Sequence, residues 1–146
     1  MNPLRCAALA AACALVTAGC GDTTVKPVAR VKVSGAVKVD GKDVKSGTIT
    51  FDPQNGQAPG SLNILDGKYE GLAPVGKCKV SINALEKMTT KEWQKRKGQP
   101  VIDGPGYEEV QEINLLPDRY NSKSEIIHDV TEPGPHTFDF VDMKSK

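Results

Sequence analysis

Short segments in which apolar and polar residues alternate constrain the fold more than any other feature of this chain. Between Arg30 and Val39, valines and one glycine occupy every second position, and mostly basic or small residues lie between them. Residues 77–85 repeat the pattern, with Cys78, Val80, Ile82 and Ala84 on one side. Alternation with a period of two predicts β-strands with one face buried and one exposed.

Glycine-containing turns separate these segments and fix the fold class. Asp40-Gly41, Asp66-Gly67 and Pro74-Val75-Gly76 are typical turn sequences. Further alternating segments lie between and after them, at residues 47–52, 61–65, 68–72, 124–130 and 136–143. Seven or eight short strands at this spacing predict an all-β sandwich rather than alternating βαβ units.

Residues 86–114 interrupt the strand pattern. Thr89 or Thr90 is a suitable N-cap for a short helix that ends at Gly98. The residues from Gln99 to Tyr107 contain two prolines and two glycines, which favours a loop. The sequence therefore predicts one domain, residues 30–146, with a loop insertion at about 86–114. Long irregular segments of this kind are commonly functional or mobile.

The N-terminus has the layout of a signal peptide. One positive charge at Arg5 precedes an apolar stretch, and small residues then lead to Cys20, an arrangement that resembles a bacterial lipobox. The stretch is shorter than the roughly 20 apolar residues that span a bilayer. We therefore expect residues 1–19 to be a signal peptide, Cys20 to be lipidated, and residues 20–29 to form a tether. An ordinary secretory signal is the alternative.

The segment from Asp66 to Val80 resembles the carboxypeptidase regulatory-like domain. It contains an Asp-Gly turn, Tyr69 two residues after it, a Pro-x-Gly turn and an alternating strand. Residues 33–37 and 47–51 are similar to the opening strands of that domain. The tail from Leu115 to Phe140, taken with the lipobox, is similar to small bacterial lipoproteins that carry one such domain.

The resemblance implies a transthyretin-like Greek-key β-sandwich. Domains of this shape usually bind or support other molecules rather than catalyse reactions. We therefore expect a lipoprotein on the membrane of the bacterial cell envelope, on its periplasmic or outer face, that acts as a non-catalytic protein-interaction or structural module. A carbohydrate- or cell-wall-binding module is the alternative, and a hydrolase-type enzyme is a weaker one.

The basic segment from Lys91 to Lys97 is the one place where cations and an aromatic residue mix. We take Trp93, Lys95, Arg96 and Tyr107 as candidate contacts with an envelope protein or glycan partner. The alternative is a solvated helical turn with Trp93 folded back onto the sandwich. The formal net charge is only +1, and Arg5 would leave with the signal peptide, so nucleic acid is not an expected partner.

Catalytic, metal and cofactor sites are not expected from the remaining residues. Cys78 lies on the apolar face of its strand, which predicts an inert buried thiol. His128 and His136 would share one face if residues 131–135 closed a hairpin, but a metal needs three or four converging ligands. Aspartates 40, 43, 52 and 66 sit at turns, where they cap the backbone, and no catalytic or cofactor motif is present.

Overall fold

A computed structural model describes residues 28–145 of the protein, and most of them form β-strands. The predicted signal peptide, Cys20 and the first residues of the tether lie outside the described residues. The elements are β1 (Arg30–Val39), β2 (Lys42–Asp43), β3 (Ser46–Asp52), β4 (Gly60–Leu65), β5 (Lys68–Pro74), β6 (Gly76–Thr89), helix α1 (Thr90–Lys97), β7 (Val110–Asn114), β8 (Ile127–Val130), β9 (His136–Thr137) and β10 (Phe140–Met143). The predicted all-β class is confirmed.

The strands form one curled sheet in the order β10-β1-β5-β4-β3-β6-β7. Strands β2 and β9 also pair with β1, and β8 also pairs with β6. Pairing is antiparallel except that β9 and β10 run parallel to β1. Strands β4 and β5 pair only at Ile64–Tyr69 and Leu65–Lys68, beside their connecting turn. The longest ladders are β1–β5 and β3–β6, and β3–β4 is nearly as long.

The core lies on the inward faces that the alternation predicts. Phe51 is fully buried, and its ring centroid lies 6.2 Å from those of Tyr69 and Phe138. Val33, Val37, Ile49, Ile64, Cys78, Val80, Ile82, Ala84 and Val130 are also fully buried. This packing leaves no room for a side chain at Gly35, because a Cβ atom there would lie 1.9 Å from the Phe138 carbonyl oxygen. Removal of this much apolar surface from water is the main stabilisation of the fold.

Strand β6 is longer than the sequence indicates. It continues to Thr89, and residues 85–89 pair with β7, so residues 86–89 and 110–114 are strands rather than loop. Strand β8 pairs with the other end of β6, at residues 76–79. Strand β7 contains Gln111 and Glu112 and is largely exposed, so it lacks the alternation that identifies a half-buried strand.

The short helix predicted after Thr89 is confirmed. The Thr89 hydroxyl accepts a hydrogen bond from the Glu92 backbone N–H, and the Glu92 carboxylate accepts one from the Thr89 backbone N–H. This reciprocal pair is a capping box, which satisfies two backbone donors at the helix start. Gly98 ends the helix with a φ of 67°, a conformation that glycine adopts without a Cβ clash.

The C-terminal strands differ from the prediction. Only Ile127–Val130 of the predicted strand 124–130 is regular, and the predicted last strand is divided into β9 and β10. Residues 131–135 do not close a hairpin, because β8 pairs with β6 whereas β9 pairs with β1. Asp139 separates β9 from β10, since its carboxylate accepts a hydrogen bond from the Ala36 backbone N–H at 2.8 Å.

Candidate functional site

Helix α1 is attached to the sheet by several polar contacts. None of its residues is buried. Trp93 is half-buried, and the Lys97 ammonium lies 4.6 Å from the centroid of its ring, at a cation–π distance. Lys95 is exposed to solvent. The basic residues of the helix therefore face several different surroundings rather than one common surface.

Arg96 joins the helix to β6 through Glu86. Its two guanidinium nitrogens donate to the two carboxylate oxygens of Glu86 at 2.9 and 3.1 Å. This bond lowers the pKa of Glu86 below its usual value, and Lys45 and Lys42 add to the effect. The same bond raises the pKa of Arg96. A two-point ion pair of this geometry fixes the orientation of the helix as well as its distance from the sheet.

Lys91 holds the loop that follows the helix. Its ammonium group lies 2.7 Å from the Asp103 carboxylate and 3.1 Å from that of Glu108. Its backbone N–H donates to the Tyr107 carbonyl oxygen at 3.3 Å, and the Gln94 side chain accepts from the Ile102 N–H at 3.1 Å. Residues 90–109, called here the helix-loop region, are thus one unit ordered by its own contacts.

The four predicted contact residues are not brought together on a single surface. Arg96 is hydrogen-bonded to Glu86, and Tyr107 is half-buried beside the Lys91 backbone. Residues three or four apart share a helix face, so Trp93 pairs with Lys97, and Lys95 lies on the face of Lys91. Lys95 and the exposed aliphatic side chains of Val101, Ile102 and, just beyond the region, Val110 are the accessible part. The aliphatic residues carried no sequence pattern that marked them.

A cleft lies between the turn after β1 and helix α1. It encloses about 490 Å³, and Arg96 and Glu86 form part of its wall. Lys42 and Lys45 line it from the segment around β2, and Leu85 and Leu115 supply apolar surface. We call it the Arg96 cleft. Sequence reasoning missed it, because residues 40–45 and 85–96 are distant in the chain and meet only in the folded protein.

The C-terminal segment adds a third attachment for the helix. The Lys97 ammonium donates to the Ser145 carbonyl oxygen at 2.9 Å. The Ser145 N–H in turn contacts the Asp40 carboxylate at 3.4 Å, and the Lys144 N–H contacts the Tyr120 hydroxyl at 3.3 Å. The end of the described chain therefore links α1 to the turn after β1 at the rim of the Arg96 cleft.

The two histidines pack against aromatic rings. The centroid of the His128 ring lies 4.5 Å from that of Phe138 and 5.3 Å from that of Phe140. His136 stacks on Phe138 at 5.7 Å, and its Nε2 lies 2.7 Å from the Thr131 carbonyl oxygen. Burial lowers the pKa of His128. Within residues 28–145, no group of three or more histidines, cysteines or acids is close enough to hold a metal.

Cys78 is enclosed by the core, as the alternation predicts. Its side chain is fully buried, and its sulfur donates to the Pro74 carbonyl oxygen at 3.4 Å. Burial raises the pKa of the thiol, and the negative charges of Asp52 and Asp129 raise it further. A protonated thiol without access to solvent is a poor nucleophile, so packing accounts for this residue.

Two further observations concern the chain as a whole. No helix in the described part of the chain, residues 28–145, has the length and apolar character needed to cross a membrane. No protein family model, no curated protein and no solved structure matches the sequence.

Proposed function

We propose that the protein is exported, lipidated at Cys20 and held on a membrane of the cell envelope, where it acts as a non-catalytic interaction module. Its curled sheet would be a transthyretin-like Greek-key β-sandwich that serves as the scaffold. The helix-loop region would contact a partner protein. The lipidation part of the proposal depends on the N-terminal sequence alone.

The main support for the proposal is that the helix-loop region is ordered and exposes both apolar and charged side chains. The region contributes no buried side chain through α1, yet it is tied into a defined shape by Lys91, Gln94 and Arg96. It presents the aliphatic side chains of Val101 and Ile102, which are 42% and 51% exposed, and the exposed side chain of Lys95. An ordered surface loop that serves no core and mixes apolar and charged groups is suited to binding.

A protein partner is better supported than a glycan. A carbohydrate site would use the open face of an exposed aromatic ring. Trp93, Tyr107 and Tyr120 are all half-buried, Lys97 lies over the Trp93 ring, and Arg119 lies 5.0 Å from the centroid of Tyr120. The accessible groups are instead aliphatic and cationic, a combination that matches an apolar patch with acidic neighbours on another protein.

Site-specific photocrosslinking in intact cells tests the proposal. A photoreactive residue would replace Lys95, Ile102 or Val110 in turn, with Leu65 as a matched control because it is 65% exposed and is the last residue of β4. We expect one adduct of the same mass from the three test positions and none from the control. We also expect Ile102→Asp to abolish the adduct formed at Lys95.

The membrane part of the proposal is tested in the same cells. Cys20→Ser removes the thiol that would carry the lipid, so the chain should leave the membrane fraction and lose the adduct. Equal adducts at all four positions, or none, would contradict docking on the helix-loop region. Unchanged membrane association of the Cys20→Ser variant would contradict lipidation but not docking.

A further inference from the structure

The Arg96 cleft combines an apolar floor with a charged rim. Val44 is buried, and Leu85 and Leu115 are half-buried at its base. Its volume, about 490 Å³, falls within the range of sites that enclose small ligands. A site of this size has room for the last one or two residues of a peptide but not for a folded partner.

The acidic residues of the rim are already engaged. Glu86 is paired with Arg96, Asp43 lies 3.5 Å from the Lys38 ammonium, and Asp40 contacts the Ser145 N–H. Arg96 and Lys38 therefore balance the charges of Glu86 and Asp43. Asp40 keeps its negative charge, which acts on Arg96, so it offsets one further positive charge at the cleft.

Lys42 and Lys45 supply further positive charge. Both are exposed and line the cleft, and neither ammonium group forms a hydrogen bond or ion pair with another described residue. Their charges reach the cleft wall, because both act on Glu86. Two ammonium groups, opposed by the single charge of Asp40, leave a net positive charge beside apolar surface, which suits an anion that carries an apolar group.

We propose that the Arg96 cleft binds the free C-terminal carboxylate of a peptide whose last side chain is apolar. The carboxylate would lie against Lys42 and Lys45, and the side chain would cover Leu85 and Leu115. A carboxylate has about four acceptor sites, so Glu86 can accept a peptide N–H beside its two bonds from Arg96, which the alkyl chain of a fatty acid could not use. A peptide end therefore fits the rim better than a free fatty acid.

This site goes beyond the proposed function and does not depend on it. The proposed docking surface consists of Lys95, Val101, Ile102 and Val110, none of which lines the cleft. Peptide binding could hold without a partner on the helix-loop region, and crosslinking at Ile102 could hold without peptide binding. The two proposals fail separately.

Fluorescence anisotropy with the full chain tests the proposal. The probe is a dansyl-labelled tripeptide that ends in leucine with a free carboxylate, and its C-terminal amide is the matched probe. We expect the amide to bind at least about tenfold more weakly, as the loss of a charge-assisted interaction predicts. Unlabelled decanoate serves as the competitor that represents a fatty acid, and we expect it not to displace the probe.

Variants separate a site from general attraction between charges. Lys42→Glu with Lys45→Glu should weaken binding at least about tenfold, and Lys42→Gln with Lys45→Gln should also weaken it. The matched control, Lys68→Glu with Lys77→Glu, makes the same charge change at two exposed lysines outside the cleft and should bind as the original protein does.

Three results would overturn the proposal. Equal affinity for the acid and the amide would show that no carboxylate is recognised. Equal weakening by the cleft variant and the control variant would show that only the net charge matters. Displacement of the probe by decanoate would assign the site to a fatty acid rather than a peptide.

Discussion

The curled sheet and the helix-loop region are stabilised by different forces. In the sheet, Ile49, Phe51 and Ile82 are fully buried side chains on paired strands. In the helix-loop region, α1 buries no residue, and its attachments are ion pairs between partly exposed groups, such as Arg96 with Glu86. Burying one large apolar side chain contributes about 1.5–3 kcal/mol, whereas an exposed ion pair contributes about 0–1 kcal/mol.

This contrast predicts that the two regions differ in local stability. Segments with few buried apolar side chains open locally at a free energy below that of global unfolding. The helix-loop region should therefore open while the sheet remains folded. If the region binds a partner as proposed, it could adjust to that partner while the sheet stays folded.

The largest expected effect is in the sheet core. Phe51→Ala leaves a cavity between Tyr69 and Phe138, so we expect the free energy of unfolding to fall by about 3–5 kcal/mol. Urea denaturation followed by far-ultraviolet circular dichroism measures it. Leu65→Ala, at an exposed position, is the control and should change the value by about 0.5 kcal/mol or less. A loss below about 1 kcal/mol for Phe51→Ala would mean that the aromatic cluster is not the centre of the core.

A smaller effect, also in the sheet, depends on pH. Burial against Phe138 and Phe140 lowers the pKa of His128 in the folded state, so the unfolded chain binds its proton more tightly. The stability from His128 is complete above the unfolded pKa of about 6.5 and falls as the pH drops from there to the folded pKa. We expect His128→Gln to lose less stability than the original protein between pH 7 and pH 5 in urea titrations. Identical pH profiles would contradict this.

The capping box at Thr89 should affect the helix but not the sheet. Thr89→Ala removes the hydroxyl that accepts the Glu92 N–H, which costs about 1 kcal/mol of helix stability. Amide hydrogen exchange by mass spectrometry should therefore accelerate in peptides covering residues 90–97 and stay unchanged in those covering β3. Thr90→Ala, one residue further on, is the matched control and should not accelerate exchange. Faster exchange in both regions would show that the two regions unfold together.

The smallest expected effect concerns the ion pair between Arg96 and Glu86. A double-mutant cycle with Arg96→Ala and Glu86→Ala should give a coupling energy of about 0.5–1 kcal/mol, because both groups are more than a third exposed. Trp93 is the single tryptophan of the chain, so its fluorescence reports opening of the helix. The coupling should shrink in 1 M salt. A coupling of several kcal/mol would contradict the view that the helix is weakly attached.

The sequence predicts the sheet better than the region attached to it, for a physical reason. Alternation reports burial on one face, and it identified β1, β3 and the first part of β6 because their alternate residues enter the core. Strand β7 was missed because it is an exposed edge with polar residues at its centre. The helix was recognisable because its signals, Thr89 and Gly98, act locally.

Contacts between distant segments could not be predicted in this way. The Arg96 cleft forms because residues near Lys42 lie close to α1 in the folded protein. Strands β8 and β9 are separated because β8 pairs with β6 and β9 pairs with β1. Of the four candidate contact residues, Lys95 is exposed, Trp93 and Tyr107 are half-buried, and Arg96 lines the cleft. Such placement depends on tertiary structure, about which periodicity carries no information.

Native-state amide hydrogen exchange in low and high salt compares the two regions most directly. Residues 90–109 should exchange through local opening at a free energy several kcal/mol below that of the β3 and β6 amides, and 1 M salt should accelerate exchange only in residues 90–109. Equal protection of both regions, with no response to salt, would show that the helix-loop region is part of one cooperative core and would contradict the proposed division between scaffold and contact surface.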